Sequence, residues 1–266
     1  MKLHDQHVHS KYSVDSEQEL KDYFEYASKL GCKYFVTTEH FDIFLVEFQE
    51  DWTVDYGALK NEINQLKKEY PNITPLIGIE VGYKEDHIDR LNEMINSEDF
   101  DVVNLSIHDG DNVDFYWIKY FEKYGYENLM NMYFEIMIDA TKTFTNYEVL
   151  SHIDYGFKTV YLADNSYSIS QYENQIKEVF KNLIQNNKAL EINTKVQEAI
   201  NDDNHTLYLL KLYKELGGTK LTLSSDAHSV ERYCSGFDKY IEMIKNCGFD
   251  HLVYYVKRKE YIYPLK

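Results

Sequence analysis

The chain has 266 residues, and its 28 lysines and arginines stand against 45 aspartates and glutamates, for a formal charge of −17. Hydrophobic residues make up 44%, with 25 tyrosines and 14 phenylalanines, enough apolar surface for a large core, which excludes a disordered chain. The negative charge argues against nucleic acid and anionic membrane as partners, and no apolar run approaches the ~18 residues of a membrane span.

The N-terminal MKLHDQHVHS has no apolar h-region, so no secretory signal is expected. Cys32, Cys234 and Cys247 are widely spaced, odd in number and without a CxxC pair, and they read as reduced thiols of a cytoplasmic protein. Only Pro71, Pro75 and Pro264 occur, with no Pro-rich or Gly/Ser-rich tract. A single domain over residues 1–266 is therefore expected.

In chain order, Lys2–Val8 offers a first extended segment. Ser16 with Glu19 reads as a capping box for a helix over Glu17–Leu30, in which Leu20, Tyr23, Phe24, Ala27 and Leu30 form one apolar stripe and Gly31 is the stop. The strand Tyr34–Thr38 follows, then a helix over Asp55–Tyr70 that ends ahead of Pro71. Strands are expected at Thr74–Ile79 and Val102–Ile107, a long helix at Tyr126–Phe144, and a strand at Glu148–Ser151. Ser170 with Glu173 suggests a second capping box for a helix over Gln171–Asn187. Strands at Ala189–Ile192 and Lys220–Leu223 flank a helix over Thr206–Leu216 that stops at Gly217-Gly218. Short apolar runs alternating with amphipathic helices call for a buried parallel sheet with covering helices. Closed into a ring, this is a TIM-like barrel one unit short; a doubly wound open sheet has the same periodicity.

Ten histidines occur, and five of them, His9, His40, His108, His152 and His228, stand at or just past the end of an expected strand. His7 lies two residues before His9, so an extended chain turns both rings to one side. Glu80 and Asp226 also fall at strand ends, the edge where parallel α/β folds assemble their sites. One histidine so placed is commonly a hydrogen-bonded structural residue. An ordered series, each member closing a different strand, points to metal. Imidazole and carboxylate without thiolate suit Zn, Mn or Fe. Eight or nine such ligands are too many for one ion, and they imply a cluster in which carboxylates bridge cations ~3.5–4 Å apart.

The ordered segments DQHVHSKYSVDS, TTEHFD, GIEVGY, LSIHDGD, LSHIDYG, LEINTK and SSDAHS resemble those of the polymerase-and-histidinol-phosphatase (PHP) superfamily, and within it the stand-alone histidinol-phosphate phosphatases. The resemblance runs from Asp5 to His228 and extends to overall length. It implies a distorted (β/α)7 barrel with a trinuclear metal centre at the C-terminal ends of the strands, that is, two to three divalent ions of Zn, Mn or Fe. Carried over position by position, one metal takes His7, His9, Glu80 and Asp226. A second shares Glu80 and adds His108 and His152; the third takes His40, His228 and Asp15, at a position where many relatives have histidine.

The chemistry implied is hydrolysis of a phosphomonoester, L-histidinol phosphate, by a metal-bridging hydroxide, with Asp226 or His228 as the acid that protonates the leaving alcohol. Lys158 and Lys195, in loops after the fifth and sixth strands, face the substrate phosphate as point charges. Asp42 and Tyr116, with Glu47, Asp109 and Asp111, are candidates for the imidazole and ammonium ends of the substrate. The alternative function is a PHP phosphodiesterase, exonuclease or nucleotide phosphatase, for which a basic groove or an attached polymerase module is expected. The partner is thus a small phosphorylated substrate, with no nucleic acid and no membrane; oligomeric state is left open. His4, His87, His205 and His251 fit no part of the pattern and read as packing or surface residues.

Overall fold

The apolar runs form the staves of a barrel. The computed structural model describes residues 2–265; Met1 and Lys266, the ends of the expected 1–266 domain, lie outside the described residues. In chain order the elements are α1 (Leu20–Leu30), β1 (Tyr34–Leu45), β2 (Glu50–Trp52), α2 (Tyr56–Glu69), β3 (Thr74–Gly82), α3 (Ile88–Ser97) and β4 (Val102–Ser106). Then come β5 (Asp109–Gly110), β6 (Val113–Asp114), α4 (Ile118–Tyr124), α5 (Tyr126–Thr143), β7 (Val149–Leu150), α6 (Tyr155–Ala163), α7 (Glu173–Gln185) and β8 (Ala189–Asn193). The last are α8 (Thr194–Ile200), α9 (Asp203–Glu215), β9 (Leu221–Ser224), α10 (Phe237–Asn246), β10 (His251–Val256) and β11 (Lys259–Pro264).

The main sheet runs β2-β1-β3-β4-β7-β8-β9. Its members from β1 to β9 are parallel, and β2 pairs antiparallel on the outer edge of β1. The ring is closed by the N-terminal segment. Thr38 N–H donates to Val8 O and His9 N–H to Ala227 O, both at 2.8 Å, so residues around Val8 span the gap between β1 and the end of β9. Asp5 secures the seam by accepting from Ser225 N–H at 2.9 Å. The open-sheet alternative is thereby excluded. The expected strand Lys2–Val8 is reduced to two single bridges, Lys2 to Cys32 and Val8 to Ala227.

The two ends of the barrel differ. At the end where the strands begin, Val36, Leu76, Val102, Val149 and Ala189 pack against Val253 and Tyr255 of the β10–β11 hairpin, an apolar plug. At the other end the inward residues are polar, and the site lies there. A continuous apolar cluster from Leu3 to Leu252 fills the space between sheet and helices. Among the described residues no helix is long and apolar enough to cross a membrane, and the three cysteines are unpaired.

Both expected capping boxes are corrected. The first helix begins at Leu20 with Glu19 as N-cap and no side-chain cap. The Ser16 hydroxyl is taken instead by His9 O at 3.3 Å and His228 O at 3.2 Å, so it ties together two loops of the site. The second box forms two residues earlier, between Ser168 and Gln171, on a short 3-10 turn ahead of α7. Lys158 and Lys195 do not lie in loops: they sit on α6 and α8, which start within a few residues of β7 and β8 and are only 9 and 7 residues long.

Candidate metal centre

Parallel register brings the first two elements of the site side by side. His40 on β1 is opposite Glu80 on β3, and residues in register share a face. The Glu80 carboxylate is 1% exposed and touches five imidazoles. Its Oε2 lies 3.1 Å from His7 Nε2, 3.3 Å from His9 Nε2 and 3.0 Å from His40 Nδ1. Its Oε1 lies 2.8 Å from His152 Nε2 and 3.4 Å from His108 Nε2. The Ser106 hydroxyl also donates to it.

Around this carboxylate the donor atoms fall into four overlapping groups, each with all its atoms within 4.8 Å of one another: His9, Asp15, His40 and His228; His7, Glu80 and His152; His7, His9 and Asp226; and His40, Glu80 and His108. All nine expected ligands are brought together here. The grouping overlaps more than the sequence suggested, since His40 also falls with Glu80 and His108, and His7 with Glu80 and His152. Two members have strained backbones, Asp226 at φ +47° and His152 at φ +21°, as functional sites often do.

Carboxylates behind the histidines fix which ring nitrogen faces inward. His7 Nδ1–H donates to Glu191 Oε1 at 2.8 Å, and His108 Nδ1–H to Asp42 Oδ1 at 2.7 Å. His9 Nδ1–H donates to Ser13 Oγ at 3.1 Å, and Ser13 donates onward to Glu39 Oε2 at 2.5 Å. His7 Nε2, His9 Nε2 and His40 Nδ1 are buried without a hydrogen-bond partner and converge on Glu80. Buried lone pairs facing buried carboxylates are a donor set that fits divalent cations.

The electrostatics agree with that fit. Burial opposes ionisation of Glu80, but His7, His40 and His108 outweigh it and hold the carboxyl well below its usual range. His108 is pushed up to about 10, where burial is outweighed by Asp42 and Glu80, and Asp42 is held at about 2 by His108 against its own burial. His7 and His40 are likewise raised against burial by their carboxylate neighbours. His9 is lowered, by burial and then by His40 and His228. Asp15 is held low by His40 and His228, which outweigh its burial.

A cavity of about 500 Å³ opens onto this cluster, with Lys158, Lys195, Tyr116 and Asp114 in its wall. Lys158 Nζ lies 4.6 Å from the centre of the Tyr155 ring and 5.0 Å from that of Tyr116; burial, with Lys195 nearby, lowers it to about 8. Lys195 Nζ lies 3.4 Å from Asp226 Oδ1 and 3.1 Å from His228 Nδ1. Asp42, expected at the substrate, is corrected: it is 2% exposed, behind His108. Gly82 makes room for it, because a Cβ there would come within 1.9 Å of Asp42 Oδ1. Glu47 and Asp109 are also engaged elsewhere, with Lys119 and Lys84, and Asp111 is exposed. Besides Asp15, Glu80 and Asp226 of the cluster, the acid in the cavity wall is Asp114 on β6, raised to about 6 by burial. Sequence reasoning missed Asp114 and the supporting Glu191. The first is one acid among several in its segment; the second sits inside the strand motif LEINTK, where an inward carboxylate was the available signal.

Fold and donor set together define a β/α barrel with clustered His, Asp and Glu side chains that could hold metal ions at the C-terminal rim of its strands. Residues 5–195 match the PHP domain family model, and the chain belongs to the PHP domain family. It is similar to the histidinol-phosphatase of Lactococcus lactis subsp. lactis strain IL1403, 29% identical over 95% of this chain and 94% of that one. It is 27% identical to the "Probable histidinol-phosphatase" of Clostridium acetobutylicum over 96% and 97% of the two chains. Among solved structures, the L. lactis histidinol phosphate phosphatase complexed with Zn, L-histidinol and phosphate superposes with a TM-score of 0.87, at 27% identity, covering 97% of this chain and 98% of that one.

Glu191→Ala removes the acceptor that orients His7. Metal affinity of the stripped protein, measured by calorimetric titration, is expected to fall about 10- to 100-fold with secondary structure retained; unchanged affinity would show that Glu191 does not orient a ligand.

Proposed function

We propose that the protein hydrolyses L-histidinol phosphate to L-histidinol and phosphate, as a single-domain cytoplasmic enzyme of histidine biosynthesis with a trinuclear metal centre. The observation that carries this reading is one cavity wall bearing two lysines, Lys158 and Lys195, beside the nine clustered metal-type ligands. That combination suits a phosphate monoester, whose phosphoryl oxygens need charge neutralisation and whose hydrolysis needs an activated water. The L. lactis structure, with Zn, L-histidinol and phosphate bound to a chain of the same fold and length, supports the choice of substrate. The unpaired cysteines suit the location.

His7, His9, Glu80 and Asp226 would hold one ion, Glu80 with His108 and His152 a second, and His40, His228 and Asp15 a third. Bound there, Zn, Mn or Fe ions would supply Lewis acidity, neutralising phosphoryl oxygens and acidifying water to a pKa near ~7. The chain supplies the rest. Lys158 and Lys195, on the helices that follow β7 and β8, bind the phosphate oxygens from the cavity wall. Water oxygen bonds to phosphorus as the ester P–O bond breaks, the proton that the water loses passes to the Asp226–His228 pair, and the pair returns a proton to the leaving alkoxide. Tyr116 and Asp114 face the imidazole and ammonium ends of the alcohol; an apolar and acidic wall suits a cationic ring and excludes a polyanion.

Metal-replete protein is expected to turn over L-histidinol phosphate with kcat/KM about 100-fold above that for p-nitrophenyl phosphate, mononucleotides and a dinucleotide, and to lose activity on chelation. Equal or faster hydrolysis of the dinucleotide would overturn the reading in favour of a phosphodiesterase. A second expectation concerns pH. Lys158 carries its charge below about 8, so kcat/KM, which reports the free enzyme, falls as pH rises through that value. Lys158→Arg keeps the charge and moves this alkaline limb upward; a limb unchanged in Lys158→Arg would remove Lys158 from phosphate binding.

A further inference from the structure

Outside the metal cluster, a second buried polar network lies behind the two lysines. Asp154 is 1% exposed and stands at the N-cap of α6, yet its side chain makes no capping bond to that helix. Its Oδ2 instead accepts from Gln197 Nε2 on α8 at 2.6 Å and from His205 Nε2–H on α9 at 2.7 Å. Gln197 Oε1 accepts in turn from Thr206 Oγ1 at 2.6 Å. All four side chains are buried, and the His205 ring stacks on Phe157 of α6 at 5.2 Å and 15°. Asp, His and Thr in one network resemble a nucleophile relay, but none of these residues lines the cavity, and the Thr206 hydroxyl is spent on Gln197.

The network joins the two helices that bear the cations. Lys158 lies one turn after Asp154, its N–H donating to Asp154 O at 2.8 Å, and Lys195 lies two residues before Gln197 on α8. Two ammonium groups at one cavity wall repel each other, and Lys195 contributes to depressing Lys158; short helices bearing them need a tie. A carboxylate that gives up its own stabilising N-cap bond to join a neighbouring helix is such a tie. We propose that Asp154, Gln197 and His205 are positioning residues that set the spacing of Lys158 and Lys195 for a phosphate group. This rests on the reading above that the two lysines bind substrate phosphate.

The test is competitive inhibition by inorganic phosphate, with KM, kcat and bound metal measured on the same holoenzyme preparations. Gln197→Leu, close in size but without the donor, is expected to raise Ki for phosphate and KM together by about tenfold, the equivalent of one charge-assisted hydrogen bond, with kcat and metal content held within about twofold. His205→Gln, whose amide still donates to Asp154, is expected to keep the wild-type Ki. Thr206→Val, which removes only the outermost bond, gives a smaller rise and covers the case in which Gln197→Leu fails to fold. A Ki that stays at the wild-type value in Thr206→Val and in folded Gln197→Leu overturns the proposal, as does a loss that follows metal content. Lys195→Ala separates the two claims. If it leaves Ki unchanged, the phosphate-binding reading fails; if it raises Ki while Gln197→Leu does not, the positioning role alone fails.

Discussion

Glu80 places a carboxylate where solvent does not reach, and five histidines from four separate segments turn toward it. A buried anion is costly unless positive charge compensates it, and imidazoles buried without a partner are costly as well. Each resolves the cost of the other, and the result is a concentration of lone pairs and negative charge at the centre of the barrel mouth. The same field that raises His7, His40 and His108 is the field that recruits divalent cations. Much of the fold serves this arrangement. The register of β1 on β3 puts His40 beside Glu80, and closure of the ring by residues around Val8 brings His7 and His9 in from the first segment of the chain.

A layer of support stands behind the ligands. Glu191, Asp42 and the Ser13–Glu39 relay hold His7, His108 and His9 by their Nδ1 atoms, leaving Nε2 to face the centre. The room for Asp42 comes from a glycine, Gly82, whose hydrogen in place of a side chain lets the carboxylate lie against β3. Lys158 and Lys195 are held from outside the cluster, on two short helices joined through Asp154. The site is thus built in layers: the clustered donor side chains, the carboxylates and hydroxyls behind them, and the Asp154 network. The acidic exterior is consistent with this division: it discourages long polyanions, while divalent ions held by the cluster would add positive charge in one cavity.

Much of this was legible in the sequence because the signals were periodic or repeated. Short apolar runs ending in His or Glu mark parallel strands, and the order of those ends recovers eight of the nine residues that the fold gathers, while Asp15 came from the family resemblance. What the sequence left unread depends on tertiary context. Ser16 looked like a helix cap, but a hydroxyl goes to the better-placed acceptor, here His9 O and His228 O. The helices bearing Lys158 and Lys195 are too short for a helical period to stand out. Asp42 and Asp114 are similar acids in similar segments; only the fold shows that the first is buried behind a histidine and the second reaches the cavity. His205 carries no motif at all, and its role follows from the carboxylate it meets, 51 residues away in the chain.

The central claim is that Glu80 is the shared carboxylate on which a multi-metal centre is assembled. Its most direct test is the metal content of Glu80→Gln by inductively coupled plasma mass spectrometry, beside the wild type and with folding checked by near-ultraviolet circular dichroism. Two to three equivalents are expected in the wild type, and at most one in the folded variant, because the amide lacks the charge that bridges cations. A folded Glu80→Gln protein that keeps the full wild-type complement would contradict the account.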